Sequence, residues 1–404
     1  MKILYLNPSS QLGGAERSLL DLICAVRQQD PQIEVSVLIT APDGPLVAEL
    51  TTLGVKFRLL ELPRKIAKLG DSGLTGQSQI ASFLKLVGSI SAIGESIRYW
   101  WQLRQTVAEI DADTIHSNGL KTHLLVASLG TTKPVIWHLR DFIGNRLAIG
   151  KLLSLFTKKV TVAIAISQAI ADDWHKVFPN LPIEVIYNAI DINKYHPQEI
   201  DPPSQYLNVG LVATYAIWKG HDIFIQAIGH IAKQHPRLKS TVKFYIIGGA
   251  IYETDKSQYS RSTLQQLARD LDVEDWLVFI DFQRDIVSSY NMLDIVVHAS
   301  TKPEPFGRTI VEAMACEKPV IVANAGGAAE LFTHKKDAIG IPPCDPVALA
   351  DAIRELIDNP SSQRVAMGKA GRRTVLERFN LDRLGAELLL IYSQEIDINR
   401  SDSY

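Results

Sequence analysis

The sequence predicts an α/β protein of two doubly wound domains, each built on a parallel sheet, and three observations lead there. A chain of 404 residues exceeds what one hydrophobic core usually supports. Short apolar runs alternate with stretches of helical periodicity, and strands separated by helices pair in parallel. That alternation halts across residues 187–203 and starts afresh at Tyr206, so it describes two sheets.

The first domain is placed at residues 1–195. A buried strand at 2–8 runs through a loop ending in Gly13 and Gly14 into a helix at 15–28. Strand, glycine turn and helix open a doubly wound fold, and the two glycines let a ligand approach the helix start closely. Such a pair also serves simply to turn a loop. Further strands are expected at 35–40, 56–62, 113–116, 135–139, 160–166 and 184–187. Strands of such a sheet deliver side chains into a crevice at their C-terminal ends, which singles out His138 and, one strand earlier, His116. A lone histidine there is also commonly a satisfied structural residue. Asp111 and Asp113 have D-x-D spacing but fall between helix and strand, where aspartate is turn chemistry.

Residues 63–98 break the rhythm. Between Lys56 and Arg104 eight basic residues face three acidic ones. A basic, apolar-studded flap suits an anionic membrane surface; it equally suits a solvated insertion packed on its own domain. Its apolar run at 80–97 is interrupted by Lys85 and Glu95, so no spanning helix is expected.

The second domain is placed at 196–380. A strand at 206–212, a loop holding Thr214, Lys219 and Gly220, and a helix at 221–234 restart the pattern. Strands at 242–247 and 277–281 end in Gly248 and Gly249, and in Phe282, Gln283 and Arg284, on the sheet edge where crevices bind ligands. The richest stretch is 294–331: a strand at 294–299, a loop with Glu304, Pro305, Phe306 and Gly307, a helix at 308–317 and a strand at 319–323. Pro305 fixes one backbone angle and Gly307 frees another, so the amides from Phe306 through Arg308 and Thr309 to Ile310 can point outward. At a helix start the dipole favours an anion there, and a pyrophosphate fits. Glu304 and Glu312 can then hold hydroxyls on either side of the phosphates. Two glutamates eight apart are otherwise ordinary helix-cap chemistry. Helices at 346–358, 362–379 and 381–396 follow, then a polar tail.

Composition excludes several classes. A net charge of -2 argues against a dedicated nucleic-acid binder. Cys24, Cys316 and Cys344 are odd in number and widely spaced, so neither a disulfide framework nor a zinc site is expected, and a reducing cytoplasm is the natural compartment. The first strand begins at once, without the pattern of a signal peptide. No G-x-G-x-x-G follows the first strand of either domain, which disfavours an NAD dehydrogenase.

The stretch around Glu304 resembles the retaining glycosyltransferases of family 4. Their signature, E-x-F-G-x-x-x-x-E, then P-V-I and a G-G-x-x-E turn, is matched by Glu304, Phe306, Gly307 and Glu312, then Pro319, Val320 and Ile321, then Gly326, Gly327 and Glu330. The sequence Gly13, Gly14, Ala15, Glu16, Arg17 is similar to the family's acceptor-side loop, and Lys219-Gly220 to its K-G pair. The resemblance covers nearly the whole chain. It implies the GT-B arrangement: two facing Rossmann-like domains, the acceptor on the first, the nucleotide sugar on the second, and residues 381–404 returning to the first.

It also implies roles. Lys219, with the helix amides at Arg308 and Thr309, meets the donor diphosphate; Glu312 holds the ribose and Glu304 the donor sugar. His138 points at that sugar, and the loop of Phe282, Gln283 and Arg284 lines the base. The implied activity is metal-independent hexosyl transfer from a UDP-sugar to a saccharide or lipid-linked acceptor, with no cofactor, in the cytoplasm or at the inner membrane face. One departure stands out: where the family commonly has an arginine before the lysine, this chain has Thr214, with Arg308 or Arg284 as the substitute cation. A nucleotide-sugar epimerase and a non-catalytic sugar-nucleotide-binding module are the other readings.

Overall fold

The computed structural model describes residues 1–63, 90–199, 204–250, 257–283 and 285–401. Arg284, Pro202, Pro203 and most of the 63–98 flap lie outside them. The chain forms two compact units, Met1–Ala189 together with Leu381–Tyr404, and Ile190–Asn380.

The first unit is built on seven parallel strands: β1 (Lys2–Asn7), β2 (Glu34–Ile39), β3 (Lys56–Leu59), β4 (Thr114–Ser117), β5 (Val135–Leu139), β6 (Val162–Ala165) and β7 (Ile183–Val185). Their order in the sheet is β3-β2-β1-β4-β5-β6-β7. β4, β5 and β6 are buried at every residue, as strands covered on both faces must be. The helices are α1 (Gly14–Gln29), α2 (Pro45–Thr52), α3 (Ile90–Ile110), α4 (Leu120–Ser128), α5 (Leu147–Ser154) and α6 (Gln168–Val177).

The second unit has six parallel strands: β8 (Leu207–Val212), β9 (Val242–Ile247), β10 (Leu277–Ile280), β11 (Ile295–His298), β12 (Val320–Ala323) and β13 (Ile339–Ile341), in the order β10-β9-β8-β11-β12-β13. Its helices are α7 (His221–Gln234), α8 (Arg261–Asp270), α9 (Val287–Asn291), α10 (Arg308–Ala315), α11 (Pro346–Asp358) and α12 (Ser361–Arg378). Asp345 caps α11 by accepting from the amides of Val347 and Ala348, with Pro346 at the first helical position.

The last helix, α13 (Leu381–Ser401), packs on α1. The approach is close because position 385 is glycine: a Cβ there would fall 2.4 Å from the Ala25 carbonyl oxygen. Leu384, Leu388 and Tyr392 join Leu19, Ile23 and Val26 in the core of the first unit.

Asp111 adopts a left-handed turn at φ 45°, and Asp113 accepts from the amide of Lys2 at 2.8 Å, so both serve the helix-to-strand junction.

Candidate active site

In the second unit the strand order reverses between β8 and β11, so the loops leaving these strands border a crevice at the carboxyl edge of the sheet. The loops touch. Gly220, at φ 74°, sits where a Cβ would lie 1.8 Å from the Ala299 carbonyl oxygen, and the Thr301 amide donates to the Trp218 carbonyl at 2.8 Å.

That contact places Lys219 beside Glu304. The ammonium donates to Oε1 and Oε2 of Glu304 at 2.9 and 3.0 Å and lies 3.9 Å from the centroid of the Trp218 ring. Ser300 Oγ donates to Oε2 at 2.8 Å, and His298 Nε2 stands 3.2 Å from the same oxygen. Burial pushes the Glu304 carboxyl up. The Lys219 charge and the bonds from His298 and Lys219 outweigh it and hold the group well below the usual carboxylate range. The backbone of Glu304 is pinned as well: its carbonyl accepts from Gly327 at 2.7 Å, and Gly326 turns at φ 67° against it.

Gly307, at φ 107°, begins α10. Arg308 Nε donates to Glu312 Oε1 at 3.0 Å, and the Tyr290 hydroxyl donates to Oε2 at 2.9 Å. Burial, then the Glu312 charge, raise that hydroxyl well above its ordinary range, so it remains a donor.

The first unit reverses its order between β1 and β4. A run of buried polar groups lies there. Tyr5 and Tyr392 hydroxyls meet at 3.0 Å, Tyr392 meets His116 Nδ1 at 2.7 Å, and His116 Nε2 meets His138 Nδ1 at 2.9 Å. Burial above all, then the Arg140 charge, depress both histidines well below their ordinary value. Arg140 donates to Asn118 and, at 3.2 Å, to Asn188; Asn118 donates to Asn7 at 2.6 Å.

Two family models match consecutive stretches of the chain: Glycosyltransferase Family 4 over residues 12–194 and Glycosyl transferases group 1 over 194–374. The chain belongs to the GT-B glycosyltransferases. Anabaena HepE, solved in complex with UDP, superposes with a TM-score of 0.79 at 25% identity over 98% of this chain and 100% of that one. Its complex with UDP-glucose gives 0.77 at 26%, with 98% and 100% covered. Among sequence relatives, N-acetyl-alpha-D-glucosaminyl L-malate synthase of Bacillus anthracis is 24% identical over 263 residues, 64% of this chain and 66% of that protein. The match thus spans slightly under two thirds of that relative. A lipopolysaccharide core mannosyltransferase of Rhizobium leguminosarum is 26% identical over 66% of this chain and 80% of its own.

On this glycosyltransferase the expected site residues are distributed unevenly. Lys219, Glu304, Gly307, Arg308, Thr309 and Glu312 gather around the β8–β11 crevice. The Phe306 side chain is buried edge-on against Phe379, 5.8 Å between centroids, so it can offer a ligand only the backbone amide expected of it. Two expectations need correction. The Ile310 amide donates to the Gly307 carbonyl, which shortens the set of outward amides. Arg308 is committed to Glu312 on its own helix, so it does not stand in at Thr214 as a loose cation.

Gly248 is required by packing, since at φ 151° a Cβ would lie 1.8 Å from the Ala213 carbonyl oxygen beside Thr214. Gly249 accepts from the Tyr215 amide; Phe282 is exposed, and Gln283 donates to the Asp281 carbonyl. Gly13 has an ordinary φ of -83°, and its amide donates to Glu16 Oε2, so no unusual dihedral demands glycine there. His138 lies inside β5, bonded to its rival His116.

The sequence reading missed His298, Ser300, Trp218, Tyr290 and Tyr392. His298 carried a usable signal, as a histidine at the end of a buried apolar strand.

Proposed function

We propose that the protein transfers a hexosyl residue from a UDP-sugar, with retention and without a metal, to a saccharide or lipid-linked saccharide acceptor in polysaccharide or glycolipid synthesis. The observation that carries this is the Lys219–Glu304 pair at the strand reversal, beside the start of α10. A half-buried ammonium and a helix N-terminus are what a departing diphosphate needs in a nearly dry site. HepE, similar over its whole length, was crystallised with UDP and with UDP-glucose.

In this reading Lys219 and the amides at Arg308 and Thr309 take the leaving-group charge. Glu312 accepts from the ribose with lone pairs beyond those used by Arg308 and Tyr290. Glu304 exchanges Lys219 for donor-sugar hydroxyls, and His138 binds a sugar oxygen. The departing phosphate oxygen takes the acceptor's proton, so no side-chain nucleophile is assigned.

Removing one well-placed charged donor costs on the order of 100 to 1,000-fold in turnover. Lys219→Ala and Glu304→Ala should each lose at least that much while keeping a cooperative melt. Near-wild-type turnover in both ends the assignment, and product analysis with UDP-sugar alone separates transfer from epimerisation.

Peripheral contact with an anionic membrane is part of the proposal. Its support is the exposed pair Leu147 and Leu155 amid Arg146, Lys151, Lys158 and Lys159. Sedimentation with phosphatidylglycerol vesicles should deplete the protein from the supernatant, and Lys151→Glu with Lys158→Glu should restore it; no depletion removes this part of the reading.

A further inference from the structure

The contact between His116 Nε2 and His138 Nδ1, at 2.9 Å, admits one hydrogen. Two would collide and none would set lone pair against lone pair. Both rings are buried and neutral, so each carries a single proton, and only two arrangements of the run from Tyr5 to His138 remain. In one, Tyr5 donates to Tyr392, Tyr392 to His116 Nδ1, and His116 Nε2 to His138 Nδ1. The proton of His138 then sits on Nε2. In the other every bond is reversed, and the last hydrogen belongs to the Tyr5 hydroxyl.

Tyr5 decides between them. It is wholly buried, and Tyr392 is its one hydrogen-bond partner among the described residues. The reversed order strands its O–H without an acceptor and also leaves His138 Nε2 as a bare, buried lone pair. The forward order satisfies every hydrogen but the last, on His138 Nε2, which meets no partner among the described residues.

We propose that Tyr5, Tyr392 and His116 form a one-way hydrogen-bond relay that fixes His138 in its Nε2–H tautomer, making it a hydrogen-bond donor to a ligand oxygen and not a base. Tyr392 is thus a positioning residue supplied by the last helix. It acts through His116 and touches no substrate. The ligand oxygen is a sugar hydroxyl or an anionic oxygen, a statement that rests on the transferase reading; the tautomer does not.

Two-bond proton–nitrogen correlation on the full chain labelled with nitrogen-15 histidine reads the tautomer directly. Wild type should show His116 and His138 both protonated at Nε2. Tyr5→Phe should leave both unchanged, because the Tyr392 hydroxyl then takes over the deciding place: among the described residues it has only His116 Nδ1 to donate to. Tyr392→Phe removes that proton and should convert part or all of His138 to the Nδ1–H form, with turnover down about ten-fold and the melting midpoint tracking that of Tyr5→Phe. His138 found at Nδ1–H in wild type overturns the proposal. So does an unchanged tautomer in Tyr392→Phe. A shifted tautomer with unchanged turnover overturns only the ligand contact.

Discussion

Lys219 and Glu304 hold each other's charge in a nearly dry setting, with side chains 18% and 9% exposed. Any ligand that uses either group must replace this bond, so the pair tunes affinity as well as chemistry. Its pH behaviour follows from the depressed carboxyl. A folded value below the unfolded one of about 4.3 contributes stability that is complete above that value and lost as pH falls toward the folded one. The stability gap between wild type and Glu304→Gln should therefore stay flat from pH 8 to about 5 and shrink in stronger acid. Denaturant titrations across that range measure it, and a gap that widens on acidification refutes the assignment. The Glu304 neighbourhood was partly legible because Pro305 and Gly307 announce backbone geometry through residue type alone. Its partners were not. Ser300 and His298 become neighbours of the carboxylate only once the loop folds back on the strand that feeds it.

At the scale of elements, two loops are held in register by one missing side chain. Gly220→Ala would drive a methyl into the Ala299 carbonyl at a left-handed φ, so the loops must part and carry Lys219 away from Glu304. A displacement near 1 Å costs on the order of 100-fold in turnover. We expect that loss with about 1–3 kcal/mol of destabilisation. Gly54→Ala is the control: it shares a positive φ of 61° but meets open space, so it should cost only the strain, with turnover intact. Steady-state kinetics on the two variants decide the matter. Alternation of apolar runs and helices exposed most strands, since a parallel strand buried on both faces is apolar throughout. β13 escaped because its three residues centre on Gly340 and run straight into Pro342 and Pro343, and the order of the strands, which creates the crevice, leaves no mark on local composition.

Across the whole molecule, ionisable burial is unequal. His116, His123 and His138 lie neutral inside the first unit, with His123 pushed down to about 3 by burial and the Arg140 charge. In the second unit His221 is likewise lowered to about 3 by burial and then by Lys219. Each such group loses about 1.4 kcal/mol of stability per pH unit below the unfolded value of about 6.5, because the unfolded chain gains a proton the fold refuses. Glu16 and Glu395 of the same unit, their carboxyls raised by burial, work in the opposite sense, a gain completed only near the unfolded carboxylate value of about 4.3, below the range in which the histidines act. From pH 7 to 5 the first unit should loosen before the second. Native-state hydrogen exchange should show the amides of β4 and β5 losing protection ahead of β8 and β11; the reverse order contradicts this balance.

The route of α13 fixes when the protein can be finished. Tyr5 leaves the ribosome long before its hydroxyl partner, which is made 387 positions later. Residues 190–380 make up the whole of their unit and can fold while translation continues, whereas the earlier unit, with its seven strands complete, waits with α1 uncovered. A nascent chain stalled before Leu381 therefore carries a finished back half and an unfinished front half, inverting the usual order in which domains mature.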